Sequence, residues 1–385
     1  MNILFYFILL LIFILTFIFF RSLKINLIIT VFCTFLIFQI ILSPKLCIDA
    51  SILGATLFFN RVFPSLFTFL VISSIIISFD GVNIYSKLFG TILCTPLRLP
   101  TSCSFVIIIS MLCGYPIGAK YACDLYKDNI INYTTYGRLL SIASNASPLF
   151  IIGAVGTSML QNSTLGYLLL ISNLFSCLFM SWIIPCKNFS GNTLQRNSIN
   201  SKINIGLVLK ESVDNSVKTT LSIGGFVVIF SVFNNIVKSN IIFDIALSKL
   251  CILFNLPKSL IQGFLLGLVE MTNGCFLISS SSAHEIYKIA LISFLISFSG
   301  LSIISQVYSF TYKFKLPIRT YVIRKFSQGI IASIISLILY KIIYCNISIQ
   351  TFNNGNNNNN FDIAILCFSL LILPLIFYKI KHLFI

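Results

Sequence analysis

Charge is what this sequence has least of. Charged side chains make up 9% of its 385 residues, against roughly a quarter in ordinary soluble domains. Histidine occurs only as His284 and His382, and His284-Glu285 lacks the second histidine of a helical zinc motif. The twelve cysteines include no Cys-x-x-Cys pair, and most lie in apolar stretches, where a thiol behaves as a small hydrophobe. These shortages speak against a disulfide framework, a zinc site or a histidine-based nucleophile–base constellation. No metal and no cofactor is expected, and an enzyme is the weakest of the function classes considered.

What fills the chain instead is hydrocarbon. Hydrophobic residues are 57% of the total, and apolar runs such as 3–20 and 25–42 are long enough to cross a bilayer core of about 30 Å. The expectation is an all-α polytopic membrane protein. No basic segment precedes the run at 3–20, so residues 1–45 read as a transmembrane hairpin turning at Arg21 and Lys24, not as a signal peptide. The formal charge of +16 could point to nucleic acid. The basic residues, however, sit mostly in short connections between apolar segments, where they set topology and meet anionic lipid. No dense basic and aromatic patch is present, so the expected partners are the bilayer and a small solute, with no nucleic acid. A homo-oligomer is left open.

Two short interruptions in residues 99–155 organise the rest. Gly114-Tyr115-Pro116-Ile117-Gly118-Ala119-Lys120 and Ser144-Asn145-Ala146-Ser147-Pro148 each stop an apolar helix where it should be crossing the membrane. Proline removes a backbone donor and glycine permits helix-breaking dihedrals. In hydrocarbon the freed backbone groups cost several kcal/mol each unless protein or cavity water satisfies them. Secondary transporters build substrate sites from such discontinuous helices. The competing reading is a pair of proline kinks in ordinary packed helices.

Around these breaks, residues 51–61 and 82–98 read as interfacial segments, and 64–79 and 159–184 as spans. A polar linker at 186–204 divides a first repeat, 51–185, from a second, 205–325. A C-terminal transmembrane hairpin, 326–385, carries the Asn-rich loop 353–360. The repeat rests on Phe69, Val71, Ile72, Leu99 and Pro100, which recur at equal spacing as Phe226, Val228, Ile229, Leu256 and Pro257. The second copy is also interrupted, at Glu270-Met271-Thr272-Asn273-Gly274 and at Ser299-Gly300. Basic residues from Lys313 to Lys325 read as a cytoplasmic connection. Paired interruptions in two halves point to a transport site.

Leu97-Arg98-Leu99-Pro100, the Gly114–Lys120 block, Ser144–Pro148 with the following Leu149-Phe150-Ile151-Ile152-Gly153-Ala154-Val155-Gly156, and Gly267-Leu268-Val269 ahead of Glu270 together resemble the sporulation integral membrane protein family of the YlbJ type. The resemblance runs from about Ser51 to Lys325. It implies nucleoside-recognition gate domains, a place in the outer forespore membrane, and passage of dipicolinate from the mother cell. Alternatives are a non-transporting assembly protein of the spore envelope or cortex, and a nucleoside-type solute carrier.

Dipicolinate is a flat dianion, and helix N-termini suit carboxylates. The expected substrate contacts are Gly114, Tyr115, Pro116, Gly118, Lys120, Asn145, Ser147, Pro148, Thr272, Asn273, Gly274 and Ser299, with Glu270 as a carrier of a coupling proton or cation. Three of these have a plainer reading: Lys120 as a snorkelling lysine, Tyr115 as an interface anchor, Glu270 as an ion-pair partner.

Overall fold

The structure, a computed structural model, describes residues 25–79, 81–185, 204–314 and 318–347. The expected first helix of the N-terminal hairpin, most of the polar linker, and the Asn-rich loop with the last span lie outside the described residues. Among the described residues all regular structure is helical.

Helix α1 (Ile25–Leu42) turns at Ser43 into α2 (Pro44–Leu57), which passes through a π-helical stretch, Phe58–Val62, into α3 (Phe63–Ser78). Pro44 starts α2 without cost, because the first N–H of a helix has no intrahelical acceptor. The axes of α1 and α2 meet at 107°. Residues 51–61 are part of a continuous helical unit that starts at Pro44 and bends sharply away from α1. A second sharp bend, 97°, separates α3 from α4 (Gly81–Cys94). The first broken region follows as α5 (Ser104–Cys113), α6 (Ile117–Lys127), α7 (Tyr133–Ile142) and a π-helix, Leu149–Met159.

The long span then begins at Ser163, later than expected. Gln161 has a positive φ of 53°, and the Asn162 side chain accepts from the N–H groups of Thr164 and Leu165. That cap satisfies donors which otherwise have no partner, so α8 (Ser163–Ile183) starts afresh. Asn204 does the same for α9 (Ile205–Ser239). The second broken region comprises α10 (Ile241–Phe254), α11 (Lys258–Val269), α12 (Met271–Ser279), α13 (Glu285–Phe298) and α14 (Gly300–Thr311). Helix α15 (Ile318–Ile347) ends the described chain.

Among the described residues four helical rods are long and apolar enough to cross a membrane, or six if each sharply bent pair counts as one span. Their surfaces are reversed relative to a soluble protein. On α15, Tyr321, Lys325, Gln328, Ala332 and Ser336 recur at helical spacing and are buried, while Ile330, Ile334, Ile338 and Ile342 form an exposed stripe. A polar face turned inward and an apolar face turned outward is the pattern of a helix solvated by lipid. Small polar side chains join helices inside: Ser172 to Ser293 at 3.2 Å, and Asn173 to Ser297 at 3.1 Å, both between α8 and α13.

Contacts between the broken regions come in matching pairs. Helix α6 packs on α14, and the Leu149–Met159 π-helix packs on α12. Helix α7 meets α15, and α8 meets α13. Each pair is one contact and its counterpart with the halves exchanged.

Candidate functional site at the four helix breaks

All four interruptions meet. At the first, Gly114 takes φ +77° and the Tyr115–Pro116 bond is cis. The Tyr115 N–H donates to the Asn145 carbonyl of the second break, at 2.7 Å. A Cβ on Gly114 would lie 2.6 Å from the Ser147 nitrogen, and one on Gly118 only 1.8 Å from the Ala143 carbonyl oxygen. Glycine at these positions lets two backbones touch. The Tyr115 hydroxyl reaches the third break, donating to Met271 Sδ at 2.6 Å.

The third and fourth breaks are joined to each other as well. Ser299 and Gly300 both adopt left-handed dihedrals, with φ of 76° and 75°. Gly300 sits against the carbonyls of Gly267, Leu268 and Val269 at the end of α11. Gly274 faces Gly267 so closely that an added Cβ would lie 2.2 Å from the Gly267 Cα.

At the centre stands Lys325, fully buried on α15. Its ammonium donates to the Ser144 carbonyl, to Asn145 Oδ1 at 3.2 Å and to Gln328 Oε1 at 2.8 Å. An ammonium has three N–H donors, and all three are met by neutral oxygens. No carboxylate lies within ion-pair distance of it among the described residues. The Gln328 amide returns a bond to Asn145 Oδ1 at 2.8 Å and one to Ser176 at 3.4 Å. The Tyr321 hydroxyl and Ser144 Oγ form a hydrogen bond of 2.7 Å, and Tyr321 lies within hydrogen-bond reach of Ser299. One helix thus holds the second break of both copies.

Two arginines tie together the helices that flank this centre. Arg324 donates to the Gly137 carbonyl at 2.9 Å and to Ser141 at 3.3 Å. Arg138 is buried and donates to the carbonyls of Leu97, Ser181 and Ile184. It caps the C-terminal end of α8, where helix carbonyls carry partial negative charge.

Several of the residues singled out from the sequence meet here and others do not. Gly114, Tyr115, Pro116, Gly118, Asn145, Ser147, Pro148 and Ser299 belong to the joined breaks. Ser147 Oγ accepts from the Phe150 N–H at 3.3 Å, so it caps the π-helix. Lys120 pairs with Asp124 at 3.2 Å, one turn along α6, and its ammonium lies over the Tyr121 ring. Glu270 spends both carboxylate oxygens on the start of α12, accepting from Thr272 N at 2.9 Å and Asn273 N at 2.8 Å. It is an N-cap. Asn273 lines a cleft on another side of α12, beside α1, α2 and α9.

Sequence reasoning missed Lys325, Gln328 and Tyr321, and it placed Lys325 in a cytoplasmic connection. The structure corrects this: α15 begins at Ile318, so Lys325 is two turns inside it. The signal was the polar stripe of Tyr321, Lys325, Gln328 and Ser336 within an apolar sequence.

The fold and site together define a multi-pass membrane protein with a cationic polar centre at interrupted helices. The chain is similar to the "Sporulation integral membrane protein YlbJ" of Bacillus subtilis (strain 168), 29% identical over 344 residues, which cover 83% of this chain and 84% of the relative. No family model matches the chain, and no solved structure matches it.

Proposed function

We propose that this chain is a member of the sporulation integral membrane family and moves a small anion, dipicolinate, across the outer forespore membrane. The similarity to a sporulation membrane protein supports the setting. The observation that carries the transport reading is Lys325, a fully buried cation bonded to the second helix break and held only by neutral oxygens.

A buried cation held only by neutral oxygens gains further from a carboxylate, because opposite charges attract more strongly where water is excluded. A substrate carboxylate that displaces Asn145 or Gln328 from Lys325 would have such a partner at once. The second carboxylate of a flat dianion would face the N-terminal end of α6, which carries partial positive charge. The paired breaks and reciprocal contacts fit a duplicated gate, in which motion of one half against the other opens the site to each side in turn.

The test is uptake of labelled dipicolinate by purified protein in liposomes. Wild type should accumulate it, and Lys325→Met and Asn145→Leu should lose at least 90% of the rate while remaining folded. Labelled uridine in the same vesicles distinguishes a nucleoside carrier. Movement of neither solute by the wild type would favour an assembly role in the spore envelope.

A further inference from the structure

On the side of α12 that faces α2 and α9, a cleft of about 820 Å3 opens between the α1–α2 bend, the C-terminal part of α9, and α12. That lies in the range of small-molecule sites, roughly 300–1,000 Å3. Its position in the membrane follows from the helices that end there. Helix α1 stops at Leu42 and the chain bends by 107°, while α9 stops at Ser239. Both apolar helices end at this cleft, as they would at a boundary between hydrocarbon and water.

The lining is split accordingly. Leu42, Leu46, Leu53, Phe276 and Leu277 form an apolar wall. Lys45, Asp49, Asn234, Asn235 and Lys238 form a polar side. Neither lysine makes an ion pair among the described residues. Asn234 is 3% exposed, and its Oδ1 is buried without a hydrogen-bond partner. An unpaired buried amide is costly in any protein, and most are matched by a partner. Here the amide borders a cleft of ligand size.

The geometry points to a binding site for one phospholipid with a monoanionic, hydroxyl-bearing headgroup, of the phosphatidylglycerol type. Two lysines and Asp49 leave one net positive charge, which a single phosphodiester neutralises. The headgroup hydroxyls supply donors for Asn234 Oδ1 and for the Asp49 carboxylate. The acyl chains continue along the Leu42, Leu46 and Phe276 wall into the bilayer. A choline headgroup offers no hydroxyl donor and brings a cation that the lysines repel. Basic pockets between membrane helices recognise lipid headgroups in this way. The site also touches Asn273, whose N–H is held by Glu270, so its occupant lies against the second copy's first break.

The experiment is mass spectrometry of the intact full-length protein, released from detergent after delipidation and incubation with defined lipids. Wild type should retain one phosphatidylglycerol, at least fivefold more often than one phosphatidylcholine. Lys45→Gln with Lys238→Gln should bring the two lipids to equal occupancy. Both lysines are exposed, so these substitutions leave the core intact. Asn234→Leu should lower occupancy independently. Equal retention of both lipids by wild type, or a preference unchanged in the double variant, overturns the site. Displacement of the lipid by millimolar inorganic phosphate would show that a soluble anion is the ligand and overturn it as well. A photo-reactive group at position 46 should label lipid; capture of a peptide from residues 1–24 would show that the chain fills its own cleft, against the proposal.

Discussion

Lys325 can be tested as charge or as mere packing. Lys325→Met keeps most of the volume but leaves the Ser144 carbonyl and Gln328 Oε1 without their donor, at about 1–3 kcal/mol for each buried group. The melting temperature should fall, and the loss of uptake should exceed the loss of folded protein. A second expectation concerns coupling. The three oxygens around the ammonium are the kind that bind a monovalent ion in broken-helix transporters. Since the lysine already holds them, uptake should be unchanged when choline replaces sodium, and a sodium-dependent rate would contradict this. Glycines give a sharper contrast. Gly118→Ala places a methyl group 1.8 Å from the Ala143 oxygen and should leave little folded protein. Gly225→Ala meets nothing within 4 Å in the middle of α9 and should be neutral or stabilising by about 0.5–1 kcal/mol. At this scale the sequence was only half legible. Asn145 and Gly118 announced themselves by interrupting an apolar run. Lys325 did not, because a lone cation beside Arg324 looks the same in a loop as in a helix until the period of its neighbours is counted.

At the scale of elements, the matching contacts make a specific expectation. Ser172 and Ser293 oxygens are 3.2 Å apart across α8 and α13. In a background cleared of native cysteines, Ser172→Cys with Ser293→Cys should form a disulfide on mild oxidation. Cleavage in the 186–203 linker should then leave the two halves joined. Separation of the halves would remove the reciprocal arrangement. The breaks themselves were readable from glycine, proline and polar residues, since few other residue types stop a helix in lipid. What they do was less readable. Glu270 read as a carrier of a coupling proton or cation, or as an ion-pair partner; its place immediately before α12 makes it a cap, which only the position of the helix start reveals. The cleft beside α12 depends on the 107° bend at Ser43, and nothing in the local sequence fixes that angle.

For the whole molecule, composition set the class, and scarcity of charge left little alternative to a bilayer. The pairing of halves was not written in any one segment, because it depends on contacts between residues more than a hundred positions apart. It predicts that a chain divided within 186–203 and expressed as two pieces should reassemble. A tag on one piece should recover the other from membranes, and the pair should restore uptake. Recovery of unpaired pieces would contradict a mutually completed core.

The same long-range bonding has a consequence in time. Asn145 and Lys325, which share a hydrogen bond, are 180 residues apart. At about 5–20 residues per second, a ribosome needs roughly 10–40 s to travel from one to the other. During that interval the interrupted helices of the first half are made, while the ammonium that will satisfy the Ser144 carbonyl does not yet exist. The nascent first half must be sheltered by the insertion machinery or by water until α15 arrives. Slower translation between 204 and 318 should therefore lower yield through degradation in the membrane, with the amino-acid sequence unchanged.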